Sequence, residues 1–148
     1  MAIYNEQSAY DFYTKLSDTI KNESGKKKFT FLAMDEQRHR KLLEDHYKKV
    51  TAGKEFAFDS GKVKVIRVEI KDGTTAAEAL DIGIKAEKEA YEFYSKSATE
   101  TQDPEAKKMF LMLAEQEDRH YNLLTAEKQA VIGQFYWFDM GTPGMMEY

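Results

Sequence analysis

Four segments of the chain repeat apolar residues every three or four positions, which is the spacing of one buried face on an α-helix. In the first segment, Ile3, Tyr10, Tyr13 and Ile20 follow this spacing, with Phe12 and Leu16 on the flank of the same face. The pattern predicts an all-α protein. The predicted helices cover residues 3–22, 26–50, about 76–101 and about 104–132.

Residues that start or stop helices separate these segments. Gly25 is expected in the break after the first helix, and Gly53 is expected to end the second. Thr75 followed by Glu78 predicts a capping box at the start of the third helix. Pro104 suits the first turn of the fourth, because its missing N–H has no partner in that turn anyway.

Two segments do not fit the helical pattern. Residues 51–74 form a long connection in which β-branched residues at 63–70 partly alternate with charged ones, so a short extended segment is expected there. That segment either lies on the helices or pairs with a second subunit. Residues 133–148 form an aromatic C-terminal tail, expected to cover one end of the helices, with ligand binding as the alternative.

The helices form an internal repeat. When residues 6–44 are aligned with 87–125, 16 of the 39 pairs are identical. The repeating unit is a helical hairpin with links at 23–26 and 102–103, and a hairpin with one apolar stripe cannot bury that stripe alone. The repeat therefore predicts an antiparallel four-helix bundle of two hairpins, joined by one long crossover at 51–74.

One motif stands at the same place in both copies. Glu36 and His39 form an E-x-x-H pair on an apolar helical background, and Glu117 and His120 repeat it 81 residues later. Positions i and i+3 share a helix face, so each pair can direct a carboxylate and an imidazole at one point. A single copy is weak evidence, since Glu is common on exposed helix faces. Two copies in register favour a metal site.

Two further glutamates complete a ligand set. Glu6 and Glu87 each lie 30 residues before the motif Glu, on the apolar side of their helices. The predicted metal ligands are Glu6, Glu36, His39, Glu87, Glu117 and His120. Four carboxylates would be neutralised by two divalent cations, whereas without metal such core-facing carboxyls would have to stay protonated. Mixed carboxylate and imidazole ligands suit iron or manganese, with zinc as a further alternative.

Five nearby residues are candidates for supporting roles. Asp35 is a candidate acceptor for a ligand imidazole N–H, and Arg38 and Arg119 directly precede the two histidines. Tyr13 and Tyr94 lie two turns after the glutamates of the first and third helices, on the same face. These tyrosines either donate hydrogen bonds to metal-bound carboxylates or are aromatic core residues.

Composition narrows the function further. The 148 residues suit one domain, and the complete lack of cysteine excludes disulfides, thiolate metal sites and cysteine nucleophiles. A net charge of −4 gives no reason to expect nucleic-acid binding. The N-terminus shows no leader pattern, and no apolar run approaches the ~20 residues of a membrane span. A cytoplasmic protein without membrane contact is expected.

Both motif copies resemble a known family. Residues 35–39 read D-E-Q-R-H and residues 116–120 read Q-E-D-R-H. With the repeated hairpins over 1–132, they resemble the rubrerythrin branch of the ferritin-like superfamily, in its erythrin domain only. The resemblance implies one ferritin-like domain over 1–148 and a di-iron centre held by the six ligands above. In that family, reduced iron gives electrons to hydrogen peroxide and forms water.

The resemblance also sets expectations for partners. The chain has no cysteines for a rubredoxin domain, so electrons are expected from a separate donor such as a rubredoxin-like protein. The oxidant is expected to be peroxide or dioxygen, and the assembly a homodimer. Peroxidase-type rubrerythrins carry an additional carboxylate three residues after the third-helix ligand; Ala90 follows Glu87 at that spacing. The carboxylate that a redox-linked ligand exchange would use at this point is therefore missing from the sequence.

Two other functions remain open at this level. Iron itself is the substrate in a ferroxidase or iron-handling protein, and a non-catalytic bundle can bind a structural metal such as zinc. The sequence also does not decide whether both hairpins of one bundle come from one chain or are exchanged between two.

Overall fold

A computed structural model describes residues 2–64 and 76–132 of the chain. Within these ranges the structure contains four α-helices, one short 3-10 helix at Ser60–Lys62 and no strand. The prediction of an all-α chain is confirmed. The helices are α1 (Ala2–Thr19), α2 (Glu23–Val50), α3 (Ala76–Glu100) and α4 (Pro104–Ile132).

The first link is displaced from its predicted place. Gly25 was expected in the break between the first two helices, but it lies in the first turn of α2. The reason is a cap that starts the helix earlier: the Gly25 N–H donates a 2.8 Å hydrogen bond to the Asn22 side-chain oxygen. The link is therefore residues 20–22 rather than 23–26. Asn outcompetes the helix-breaking tendency of Gly because it satisfies a donor that the first turn leaves open.

The end of α2 follows the prediction that Gly53 closes it. The Gly53 N–H donates a 2.7 Å hydrogen bond to the Lys48 carbonyl, and Gly53 has a φ of 91°. This six-residue closure is a Schellman motif, in which the residue before Gly53 must adopt the left-handed conformation. That residue is Ala52, with a φ of 57°. A side chain thus occupies a backbone position that glycine fits better.

The second link, residues 101–103, is close to the prediction. The Asp103 carboxylate accepts a 3.0 Å hydrogen bond from the Glu105 N–H, and the Asp103 carbonyl accepts another from the Lys107 N–H. Asp103 is therefore the N-cap of α4, and Pro104 is its first residue.

The chain divides into two compact units: the first holds the first copy of the repeat apart from residues 19–25, and the second holds the second copy. In the first unit, α1 and α2 run antiparallel. Near their link, the Ser17 and Thr30 hydroxyls lie 2.7 Å apart, and the Tyr13 ring stacks on Phe29 with a centroid distance of 6.0 Å. Farther from the link, Gln7 on α1 accepts a hydrogen bond from Arg40 on α2. Positions 13 and 17 of α1, near the link, thus contact positions 29 and 30 of α2, and position 7, far from the link, contacts position 40, as in a hairpin.

The connection after α2 folds back onto its own hairpin. Phe56 and Phe58 pack against Tyr4 of α1, with ring centroids 5.6 and 5.4 Å apart, and Phe56 also meets Tyr47 of α2 edge to face. The Arg40 guanidinium lies 3.9 Å from the centre of the Phe58 ring. The beginning of the predicted crossover is thus anchored by aromatic contacts rather than by pairing of strands.

The second unit is built in the same way. Tyr94 of α3 stacks on Phe110 of α4 with a centroid distance of 6.2 Å, close to the link. At the far end, the Lys128 ammonium lies 2.6 Å from the Asp81 carboxylate. The interior side of this hairpin is apolar and nearly inaccessible, with Leu80, Leu113 and Leu124 at most 1% exposed. Both hairpins therefore bury one stripe of side chains, as the repeat predicted.

Some predictions concern parts of the chain outside the described residues. They are the extended segment from 65 onward, the capping residue Thr75 and the aromatic tail at 133–148. Among the residues that the structure does describe, no helix combines the length and the apolar content that crossing a bilayer requires.

Candidate metal centre

The first unit gathers three predicted ligands at one place. His39 Nδ1 lies 3.4 Å from a Glu36 carboxylate oxygen on the same helix and 3.5 Å from a Glu6 carboxylate oxygen on α1. All three residues are buried, each with at most 3% of its surface exposed. Two carboxylates and one imidazole therefore converge in the interior of the hairpin.

The second unit gathers the equivalent three residues. His120 Nδ1 lies 3.4 Å from a Glu87 oxygen on α3 and 3.9 Å from a Glu117 oxygen on its own helix. Glu87, Glu117 and His120 are again at most 3% exposed. The two units thus repeat one arrangement: a glutamate from the first helix of the hairpin, and an E-x-x-H pair from the second.

Helical spacing explains why these polar residues are buried. Glu6 follows Ile3 by three residues and precedes Tyr13 by seven, and both neighbours are buried, so Glu6 belongs to the apolar stripe of α1. On α4, Glu117 follows Leu113 by four residues and precedes Leu124 by seven, and both leucines are buried. Packing of these stripes takes the carboxylates out of water together with their apolar neighbours.

The donor set of each unit fits a metal ion. Within the first unit, ligand atoms of Glu6, Glu36 and His39 all lie within 4.8 Å of one another, and the same holds for Glu87, Glu117 and His120 in the second. Ligands about 2.0–2.2 Å from a common ion are separated from each other by roughly 3.0–3.5 Å, which is close to the observed spacing. Two carboxylates carry a charge of −2, and one divalent cation balances it.

Buried carboxylates without such a cation would be costly. Removing an ionised carboxylate from water costs several kcal/mol even after relaxation, so a buried acid requires a compensating charge or a proton. Neutral imidazole offers no positive charge. The chemistry of the donor set therefore favours a divalent metal over a purely structural role, and oxygen and nitrogen donors suit iron, manganese or zinc.

The predicted supporting residues lie at different depths. Arg38 is exposed and forms an ion pair with Asp35, one turn earlier on the same helix. Arg119 is also exposed, and its guanidinium lies 2.7 Å from the Glu115 carboxylate. Both arginines therefore have partners on the outer side of their own helices. The expected role of Asp35 towards a ligand histidine stays a prediction.

The two tyrosines are deep in the structure. Tyr13 and Tyr94 are 1% and 2% exposed, and each stacks on a phenylalanine of the neighbouring helix, Phe29 and Phe110 respectively. These stacks account for their aromatic rings. Whether their hydroxyls support the metal ligands stays a prediction.

One set of contacts beside the first trio was not predicted. Gln7 follows ligand Glu6 and Arg40 follows ligand His39, and Arg40 donates a hydrogen bond to the Gln7 side chain. Arg40 Nε also donates to Glu44 at 2.6 Å. The second copy has Lys88 and Tyr121 at the positions of Gln7 and Arg40, so the repeat gave no indication of these contacts. We call the contacts of Arg40 with Gln7, Glu44 and Phe58 the clamp. The sequence signal that could have indicated these contacts was an arginine directly after a predicted metal ligand.

Comparison with known proteins gives the chain a clear relationship. The model of the family described as Rubrerythrin matches residues 1–128. A hypothetical protein from Pyrococcus furiosus has a similar solved structure, with a TM-score of 0.72 and 32% sequence identity over 89% of this chain and 86% of that one. No protein of curated function matches the sequence significantly.

A second solved structure supports the fold alone. It is an uncharacterized conserved protein from Magnetospirillum magnetotacticum, with a TM-score of 0.61 and 23% identity over 87% of this chain and 89% of that one. With the family match and the four helices, these similarities assign the fold to the all-α class of ferritin-like four-helix bundles.

Proposed function

Because the chain belongs to the rubrerythrin family, we propose that it is a di-iron oxidoreductase that reduces hydrogen peroxide. The six ligands, three from each hairpin, hold the two iron ions. The family and the buried ligand sets support a metal-binding protein, and the reaction with peroxide is the finer part of the proposal.

The observation that carries the proposal is the duplicated trio. A single buried Glu and His pair has structural explanations, but the same two carboxylates and one imidazole recur at matching spacing in both hairpins. The two copies differ at 23 of the 39 aligned pairs, yet the three pairs formed by these six residues are all identical. A shared requirement for metal explains why these positions stayed equal.

The chemistry gives different roles to the iron ions and to the residues that hold them. When bound, two ferrous ions would each supply one electron, and with two protons these electrons would convert hydrogen peroxide into two waters. Glu6, Glu36, Glu87 and Glu117 provide the negative charge that holds the ions, and the two histidines add neutral donors. Burial of all six residues keeps bulk water from competing for the ions. We propose that the electrons come from a separate donor protein.

The test is peroxide kinetics on protein reconstituted anaerobically with ferrous ion. We expect the ultraviolet absorption of the ferric pair to appear after mixing with peroxide, much faster than free ferrous ion reacts. His120→Ala is expected to lose this phase, and His46→Ala, which changes a half-buried histidine outside both trios, serves as the matched control.

Alternative outcomes separate the competing functions. If the reduced protein reacts with peroxide no faster than free ferrous ion, the peroxidase assignment is wrong. Rapid iron turnover with dioxygen, with iron released as product, would instead identify a ferroxidase. If the purified protein contains zinc or manganese, it is reconstituted with ferrous ion before the kinetics are measured.

A further inference from the structure

The outer side of α2 has an unusual combination of side chains between Lys27 and Lys41. Lys27, Arg38 and Lys41 are exposed cations, and two large apolar side chains, Phe31 and Met34, are 51% and 52% exposed. None of the exposed residues in this stretch of α2 is acidic. The exposed side chains of this stretch carry a charge of +3 on a chain whose net charge is −4, and one of them, Arg38, is ion-paired with the partly buried Asp35. We call these five residues the basic face.

Their spacing makes the basic face one continuous stripe. Successive members are separated by four, three, four and three residues, which keeps them on one side of the helix. The stripe is about 21 Å long at 1.5 Å per residue. Its apolar members lie in the middle and its cations towards the ends. An apolar centre with a charged rim is the usual organisation of a protein–protein interface.

The repeat provides an internal comparison. The equivalent stretch of α4, from Lys108 to Asn122, is exposed at the same positions. There, Glu115 and Asp118 replace Met34 and Gln37, so two acids balance the two exposed cations Lys108 and Arg119. The two hairpins thus share their ligands and differ in this face. The positive charge of α2 is a property of one copy rather than a consequence of the fold.

We propose that the basic face docks an acidic protein and that this protein is the electron donor of the metal centre. The identification of the partner as electron donor rests on the proposed function; the docking of an acidic surface does not. Glu36 and His39 lie on the buried side of the same helix, so a docked donor would be separated from the ligands by about one helix diameter, roughly 10–12 Å.

Charge and shape argue against the other occupants. A two-fold contact between copies would place the basic face against itself, with three cations opposing three. A membrane surface is bound by helices with a broad apolar side, whereas this face offers only two large apolar residues, Phe31 and Met34. A protein surface with acidic groups around an apolar spot matches both features of the face.

The test uses a rubredoxin of net negative charge as the probe. Its zinc-substituted form, which cannot transfer electrons, is titrated into the full chain at low ionic strength, and Kd is followed by NMR chemical shifts. We expect the double variant Lys27→Glu/Lys41→Glu to raise Kd at least about tenfold, with the difference shrinking as salt is added. Lys107→Glu/Lys108→Glu, the same charge change on exposed residues of α4, is expected to leave Kd within about twofold.

A second variant tests the apolar centre. Phe31→Ser/Met34→Ser is expected to raise Kd by about tenfold while leaving its dependence on salt concentration unchanged, because no charge is altered. Equal effects of the α2 and α4 charge variants would overturn the proposal. So would a native protein that binds anionic vesicles or itself through Phe31 but does not bind the acidic rubredoxin.

Reduction kinetics separate this proposal from the proposed function. Ferric-loaded protein is reduced either by dithionite, a small reductant that needs no docking surface, or by reduced rubredoxin. We expect the Lys27→Glu/Lys41→Glu variant to keep the native rate with dithionite and lose at least about tenfold with rubredoxin. If the native protein contains no iron that dithionite reduces, the di-iron centre is wrong. If rubredoxin reduces the native protein and the Lys27→Glu/Lys41→Glu variant at equal rates, the basic face is wrong.

Discussion

His39 Nδ1 on α2 lies 3.5 Å from a carboxylate oxygen of Glu6 on α1, with both side chains 3% exposed. The contact joins the two helices of the first hairpin, and Glu36, 3.4 Å from the same imidazole nitrogen, adds a second carboxylate among the buried side chains. Such a contact lowers the stability of the fold unless the two groups bind a metal ion, because both groups lose their hydration. Its consequences for stability and metal binding can be measured separately.

Removing one buried carboxylate should have opposite effects with and without metal. In the metal-free protein, Glu36→Gln is expected to stabilise the fold by about 1–2 kcal/mol, since it removes a buried acid close to a second one. In the loaded protein the same change is expected to reduce stability. Metal at 100 times its Kd adds about 2.7 kcal/mol to the native chain, and the variant loses most of this gain.

Urea denaturation of metal-free and metal-loaded protein measures both effects. Glu115→Gln is the control, because Glu115 is an exposed acid paired with Arg119, and such a pair contributes less than about 1 kcal/mol. A Glu36→Gln variant that is destabilised equally in both states would show that Glu36 has a structural role only.

The clamp at Arg40 should matter more than an ordinary surface arginine. Arg40→Ala removes hydrogen bonds to Gln7 and Glu44 and the contact with Phe58, so we expect a loss of about 1–3 kcal/mol. Arg119→Ala, which removes one exposed ion pair, is expected to cost less than about 0.5 kcal/mol. Thermal denaturation of the two variants side by side checks the difference, and equal losses would refute the clamp.

The left-handed residue at the end of α2 predicts a stabilising substitution. Ala52→Gly is expected to raise the free energy of unfolding by about 0.5–1 kcal/mol, because Ala52 has a φ of 57°. Ala126→Gly, at an exposed position inside α4, is expected to lower it by about 1 kcal/mol. Opposite signs in urea denaturation support the assigned backbone conformation. A loss in both variants would contradict it.

Packing inside the second hairpin is tested by two nearby leucines. Leu113 is fully buried and Leu111 is 52% exposed on the same helix. Leu113→Ala is expected to cost about 2–5 kcal/mol, through lost burial and the cavity left behind, whereas Leu111→Ala is expected to change stability by less than about 0.5 kcal/mol. Comparable costs in thermal denaturation would mean that α4 is rotated from the assigned orientation.

The repeat explains why so much was predictable. Because Glu36 and His39 recur as Glu117 and His120, a weak local motif became a strong one, and the aligned copies also located Glu6 and Glu87 without any structure. The helices themselves follow from apolar spacing, and Asp103 with Pro104 marks the start of α4 as predicted. Each of these features is visible either in residues that are close in sequence or in the repeat at its fixed offset of 81 residues.

Two features that depend on one specific contact were missed. Gly25 was placed in a break because glycine usually ends helices, but the Asn22 cap decides the outcome. Arg40 and Phe58 come together only because the connection after α2 folds back on its hairpin. The contact of Arg40 with Phe58 leaves no periodic signal, and the second copy has Tyr121 in place of Arg40. Asn22, in contrast, aligns with Asp103, the N-cap of α4, so the repeat did contain a signal for this cap.

The most direct test of the proposed centre is the number of metal ions bound per chain. Elemental analysis after anaerobic reconstitution with ferrous ion should give close to two irons for the native protein. His39→Ala and His120→Ala should each bind clearly less, while His46→Ala should still bind two. Native stoichiometry in both ligand variants, or no iron in the native protein, would contradict the assignment of the duplicated trio as a di-iron centre.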